Sequence, residues 1–403
     1  MNNIENKTVL WLLALCPIFY IYGLGAWDGA SFVLLILGIV AFLQVFNRTN
    51  IFNVVPIELI VLVLLSVVNY WATTSFTMPI SQIQVFLCYL AFWFYINQKS
   101  IGSYLEIYKK IGIVVVAFFF IQFIVLKTTG RMLSGIIPGL PLSSSITDVG
   151  SEWIKFHLAS GKCTSFFTEP AHLGRFLIPL IVIELFRANK IDWRFIALFS
   201  ASVILSMSGT GIIVISALFV YWYFTLLDFK HSKNIVKFLG VGLLFGVLVY
   251  IIVGSEIGAQ LLERKSELNV DYEGGSRSGL FRIYRGFAIF AEYDFKLKIF
   301  GTTNIDTIFS FEKRGIFGSL FGERVYFNGI STLLLYQGYI GLLVFSLLII
   351  KIWKKASYTA RAIIVCYIVY MFCESVYPGE RLASYLVIAC CLTKTNVRKI
   401  CLK

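Results

Sequence analysis

Ile111-Gly112-Ile113-Val114-Val115-Val116-Ala117-Phe118-Phe119-Phe120-Ile121-Gln122-Phe123-Ile124-Val125-Leu126 carries no charge and a single polar side chain. Backbone amides placed in hydrocarbon must bond among themselves, so an apolar run of this kind reads as one membrane helix. Similar runs recur on both sides of it, at 9–25, 29–46, 51–71, 81–96, 171–187, 193–208, 210–227, 237–254, 327–350, 361–377 and 381–393. The fourth and the last are short against the ~20 residues that cross a bilayer. The chain is thus predicted to be all-α, a polytopic transmembrane bundle of about 12 spans.

Composition agrees. Of 403 residues, 58% are apolar and 14% charged, with a mean hydropathy of +0.81. Soluble domains carry about 25% charged residues, and a chain this poor in charge needs lipid to solvate its surplus apolar surface. Eight cysteines are present, mostly within the apolar runs, with no disulfide framework and no CxxC pair. Leu13-Ala14-Leu15-Cys16 faintly suggests a lipoprotein cleavage box. Leu15 is too bulky for one, so the first span is read as retained.

The net charge of +13 follows topology. With the N-terminus inside, the inner connections hold 19 bases and five acids, and the outer ones 16 of each. Basic residues mark the cytoplasmic side, so both termini are expected there. Spread over every inner loop, the charge is no nucleic-acid stripe.

Two outer segments break the rhythm of short connections: 127–170 and 255–326. Long loops in a compact protein are usually functional or disordered, and the aromatics and mixed charge of these two argue against disorder. In the second, Leu280 to Ala291 has helical periodicity. Leu280, Tyr284, Phe287 and Ala291 lie on one face, with Arg282 and Arg285 opposite.

Three stretches carry candidate chemistry. Lys162-Cys163-Thr164-Ser165-Phe166-Phe167-Thr168-Glu169-Pro170-Ala171-His172 leads into the sixth span. Thr168 is placed to cap that helix, and Pro170 suits its first turn. Glu169, His172 and Arg175 share one side of two turns, as a proton- and anion-handling site or as an ordinary acid at a helix N-terminus. Ser206-Met207-Ser208-Gly209-Thr210-Gly211 suits a tight helical hairpin or a substrate lining. Gly274-Gly275-Ser276-Arg277-Ser278-Gly279-Leu280-Phe281-Arg282-Ile283-Tyr284-Arg285-Gly286 holds three arginines near serines and glycines. These suit a diphosphate, or else loop pairs with Glu273, Glu292 or Asp294. Three histidines are too few for a zinc site. Glu58 and Glu184 are the main charges deep in spans, too few for an ion-driven transporter.

The chain resembles bacterial repeat-unit polymerases of the Wzy type, within the O-antigen polymerase and ligase superfamily. Phe167-Thr168-Glu169-Pro170-Ala171 is similar to the Phe-x-Glu-Pro-Ser segment that ends the first long loop of that family. Ser206–Gly211 is similar to its Ser-x-Ser/Thr-Gly hairpin. Gly279–Arg282 with Phe300-Gly301 resembles the superfamily's Gly-Arg…Phe-Gly region, and Arg285 and Gly301 have an Arg-x15-Gly spacing. Ligases place a His before an Asn at the end of the second loop; here Phe327 precedes Asn328, which favours a polymerase.

The resemblance implies an inner-membrane, metal-independent glycosyltransferase without a cofactor. Its substrates would be undecaprenyl-diphosphate-linked glycans, and its partners a flippase and a chain-length regulator of the same pathway. Glu169 is then the expected base, with His172 second. Arg277, Arg282 and Arg285 are expected to hold the diphosphate, helped by Lys162, Arg175 and Arg324. A ligase, a lipid-linked oligosaccharide flippase and a membrane scaffold are the alternatives. The flippase fits the long second loop poorly, and a scaffold leaves the arginines without a purpose.

Overall fold

A computed structural model describes residues 7–24, 27–48, 52, 54–73, 80–143, 162–187, 191–225, 278–312, 327–377 and 379–393. Helices dominate. The first half holds α1 (Lys7–Phe19), α2 (Gly29–Arg48), α3 (Ile57–Thr73), α4 (Ile80–Tyr95) and α5 (Ile101–Thr129). Then come α6 (Pro170–Leu185), α7 (Trp193–Leu205), α8 (Gly209–Thr225), α9 (Ser278–Glu292), α10 (Phe295–Phe300) and α11 (Ile305–Glu312). The last three are α12 (Gly329–Lys355), α13 (Tyr358–Cys373) and α14 (Glu380–Cys391). A two-residue antiparallel hairpin, β1 (Gly23–Leu24) and β2 (Trp27–Asp28), joins α1 to α2.

A helix lies in register with every predicted span except 237–254, which falls outside the described residues. Among the described residues, α2, α5 and α12 are long and apolar enough to cross a membrane; other apolar helices are shorter. The surface fits lipid. On α5 the inward face is Tyr108, Ile111, Val115, Phe119 and Gln122, while Ile113, Val114, Ile121 and Ile124 point outward. Its outward face is as apolar as its inward one. α2 and α12 repeat the pattern with exposed Ile36, Ile39 and Phe46, and with Leu343, Leu347 and Ile350. Continuous exposed apolar stripes of this extent belong against a bilayer.

Local chemistry sets the helix ends. Gly130, at φ 67°, closes α5 with its N–H on the Leu126 carbonyl. Asp192 caps α7, Asn328 caps α12 and Ser357 caps α13 through side-chain oxygens. The deep carboxylates are paired. Glu58 accepts from Lys351 at 2.8 Å, and buried Glu184 accepts from Lys109 at 3.0 Å and Arg187 at 3.2 Å.

α6 is the central element, buried along almost its whole length against α5, α7, α8 and α13. Gly174 makes this possible: a Cβ there would meet the Gly211 Cα of α8 at 3.4 Å and the Tyr370 hydroxyl of α13 at 3.3 Å. The Ser206–Gly211 stretch forms the tight turn between α7 and α8. Ser208 Oγ accepts the Gly211 N–H at 3.0 Å, and Met207 adopts φ 58°.

Both long loops pack onto the bundle where described. Gln122 donates to the Leu133 carbonyl at 2.9 Å and accepts the Ser165 N–H at 2.7 Å, tying both ends of 127–170 to α5. Within residues 278–312, α9 and α10 pack against α12, which breaks at Gly338 (φ 62°), and α11 packs on α9. The groups freed by the break are satisfied by protein. Thr302 N–H donates to the Leu335 carbonyl at 2.7 Å, and Asn69 Nδ2 to the Tyr336 carbonyl at 2.9 Å. Gly301, the glycine of the Arg-x15-Gly spacing, serves this contact, since a Cβ there would overlap the Tyr336–Gln337 backbone.

Candidate functional site

The segment 164–175 runs from the surface into the bundle. Pro170 takes the first helical position of α6 and Glu169 is the N-cap. Sequence expectation gave the cap to Thr168. Instead the Thr168 hydroxyl sits 2.6 Å from His172 Nδ1 and fixes the imidazole. Glu169 is exposed and its side chain caps nothing. His172 is half-buried and Arg175 buried, so the three residues descend one side of the helix.

Pro179 has no N–H to offer the carbonyl of Arg175 four residues earlier. The Tyr385 hydroxyl of α14 donates to that carbonyl at 2.7 Å, and the Tyr108 hydroxyl of α5 to the next one, of Phe176, at 2.6 Å. Two tyrosines thus hold α6 at the level of Arg175. The Arg175 guanidinium turns to Glu374, just past α13, with Nε to Oε2 at 3.1 Å and both side chains buried. This is an ion pair without hydrogen-bond alignment: Nε and Nη1 of Arg175 and Oε1 of Glu374 have no hydrogen-bond partner.

A cavity of about 70 Å³ opens here, lined by His172, Arg175, Glu380, Arg381 and Ser384 and by Tyr20, Tyr104, Tyr108, Tyr367, Tyr370 and Tyr385. Tyr20 stands at its mouth, edge-on to His172 at 6.3 Å and 5.2 Å beneath the Arg381 guanidinium. Arg381 also donates to the Ser375 carbonyl at 2.9 Å and pairs with Glu380 at 3.3 Å. The cavity therefore joins an imidazole, Arg175, the Glu380–Arg381 pair and a wall of phenols to an apolar lining that includes Leu13, Phe92, Phe167 and Phe176.

Glu374, Glu380, Arg381 and the tyrosines escaped the sequence reading. Their signal was three charged residues crowded into Glu374-Ser375-Val376-Tyr377-Pro378-Gly379-Glu380-Arg381, a connection barely long enough to turn the chain between two apolar runs.

The diphosphate candidates lie apart from this cavity. Arg285 is only 4% exposed, with its guanidinium 5.7 Å over the Phe327 ring, whereas Tyr284 is 57% exposed. Arg285 and Tyr284 thus lie on opposite faces of the 280–291 helix, as the periodicity predicts, and the arginine face is the inward one: Arg285, Gly286, Ile289 and Phe290 are buried. The physical cause is Gly286, whose missing side chain lets this face close onto Ser331 and Phe327. Lys162 is half-buried beside buried Cys163. Arg277, Arg324 and the side chain of Arg282 lie outside the described residues.

One joint links the two regions. Asn328 donates to the Ile283 carbonyl of α9 at 2.7 Å, and Gly329 N–H donates to the Glu374 carbonyl at 2.8 Å. The start of α12 thus touches both the helix of Arg285 and the partner of Arg175. The chain matches no protein-family model, no curated protein and no solved structure.

Proposed function

We propose that this protein is an inner-membrane glycosyltransferase of the Wzy type, polymerising undecaprenyl-diphosphate-linked oligosaccharide repeat units, with both termini in the cytoplasm. The observation that carries the reading is the convergence of His172 and Arg175, from the Phe167–His172 segment, with Glu380 and Arg381 on one tyrosine-lined cavity. The inside-rich bases support the orientation. All of these residues belong to helix ends that the charge count assigns to the outer side.

The reaction needs a base for an acceptor hydroxyl and cations for a departing diphosphate. The acceptor oxygen bonds to the donor's anomeric carbon, and the bond from that carbon to the diphosphate oxygen breaks. The electron pair leaves with the diphosphate, and the acceptor proton passes to the base. His172, oriented by Thr168 and lining the cavity, is better placed for that role than exposed Glu169. Arg277, Arg282 and Arg324 of the second long loop take the diphosphate, and Arg285, buried over the Phe327 ring, positions that loop against α12. Arg175, locked to Glu374, shapes the cavity floor.

The test is elongation of a lipid-linked repeat unit by purified protein in nanodiscs. A polymer ladder from the wild type supports the reading. Transfer of a single unit to a lipid A core acceptor, with no ladder, would make it a ligase.

A further inference from the structure

We infer that α10 does not face solvent with the rest of its loop but is seated in the bilayer, with Phe295 among the lipid chains and Lys296 at their headgroups. The reason is the depth at which α12 breaks, and it holds for either orientation of the chain.

Depth follows from helix length. α3 and α12 run antiparallel, side by side. Lys351 pairs with Glu58 near one end, Gln337 donates to Ser66 at 2.6 Å further along, and Asn69 reaches the Tyr336 carbonyl beyond that. Gly338 precedes Lys351 by 13 residues, which is about 20 Å of helix. Counted from Lys355, the last residue of α12, the rise is still only about 25 Å. The hydrocarbon core is about 30 Å thick, and tilt would shorten the helix's reach further. With the basic end of α12 at one boundary, the break at Gly338 falls short of the other.

α10 is docked at that level. A Cβ at Gly338 would overlap the Lys298 and Ile299 carbonyls, and Asn69 Nδ2 donates to the Phe300 carbonyl. Irregular backbone at membrane depth has to be satisfied by protein, and both ends of α10 are. Asp294 accepts the Leu297 N–H at 2.8 Å, and the Gly301 N–H reaches the Leu297 carbonyl at 2.7 Å. The side chains match a lipid setting. Phe295 is 80% exposed, and Phe300 is exposed as well. The helices that α10 touches present exposed Val68 and Trp71 on α3 and exposed Tyr339 and Leu343 on α12. α10 thus continues the apolar surface of its neighbours. Lys296 is exposed beside Phe295, and its stem is long enough to carry the ammonium out to lipid phosphates.

The test places a nitroxide at Phe295→Cys, in full-length protein lacking the native cysteines and held in phosphatidylethanolamine and phosphatidylglycerol nanodiscs. Electron paramagnetic resonance reads its collisions with oxygen, which concentrates in lipid, and with a water-soluble nickel chelate. Leu343→Cys is the lipid reference and exposed Arg131→Cys the water reference. Phe295 is exposed, so its replacement leaves no cavity and should keep the parent unfolding temperature. Phe300→Cys is a second site should the first label poorly. Both should resemble Leu343→Cys, with oxygen collisions outweighing those of the nickel chelate. Nickel collisions as frequent as at Arg131→Cys would put α10 in water. Few collisions with either reagent would put it against protein, such as a second copy of the chain. Either result overturns the inference.

Discussion

Tyr385 donates its hydroxyl, at 2.7 Å, to the Arg175 carbonyl that Pro179 leaves without a helical partner. A defect in one helix is thereby repaired by a side chain more than two hundred residues away. Tyr385→Phe strands a buried acceptor and should cost about 1–3 kcal/mol. Pro179→Ala restores the helical donor, so the same Tyr385→Phe change should cost clearly less in that background. Equal costs in both backgrounds, measured by thermal unfolding of the four proteins, would break the link between Pro179 and Tyr385.

The Arg175–Glu374 pair makes a second expectation. Glu374→Ala leaves a buried guanidinium uncompensated and should destabilise by about 3–5 kcal/mol. Replacing both partners, as Arg175→Met with Glu374→Leu, should restore much of the stability. Chemical denaturation of the single and double variants checks it. A double variant as unstable as Glu374→Ala would mean that the pair is not the source of the loss.

Cys163 makes a third. Cys163 belongs to the outer segment 127–170 and is nevertheless buried. Burial pushes its thiol up to about 11, against a smaller opposing pull from Lys127. The thiolate is the reactive form, and its population falls tenfold for each pH unit below the pKa. Cys163 should therefore resist maleimide at neutral pH and react faster as pH rises towards 11. Rapid labelling at pH 7 would contradict its burial. Orientation is better read with cysteines at exposed Arg131 and Lys99 in a background lacking the native cysteines. On spheroplasts an impermeant maleimide should reach Arg131→Cys and spare Lys99→Cys; the opposite pattern would invert the topology.

The apolar runs placed the helices well because hydrophobic length is a local property, as the agreement of α2 with 29–46 illustrates. The site was half legible. Glu169, His172 and Arg175 lie within one short stretch, and helical spacing alone put them on one side. Their partners Glu374 and Arg381 come from the far end of the chain, where only packing decides proximity. Helical spacing put Arg285 opposite Tyr284, as found, but it carries no sign that the arginine face is the inward one: an aromatic ring against the guanidinium and a glycine beside it draw that face inward. Gln122 went unassigned as the single polar side chain of its run, yet it anchors both ends of the first long loop.

That anchoring gives a fourth expectation. Gln122→Leu keeps the volume and removes the bonds to Leu133 and Ser165. The buried Ser165 N–H then loses its partner, at a cost of about 1–3 kcal/mol. Limited proteolysis should cut within 130–165 faster than in the wild type. An unchanged cleavage rate would show that other contacts hold the loop.

The most direct measurement of the central claim is elongation of a lipid-linked repeat unit by wild-type and His172→Ala protein, purified side by side, with unfolding temperature recorded on the same samples. The wild type should build a ladder. His172→Ala should unfold at a similar temperature and elongate about 10²–10⁴-fold more slowly, the usual loss when a general base is removed. A folded wild type that builds no ladder, or a His172→Ala protein that elongates at the wild-type rate, would contradict the account.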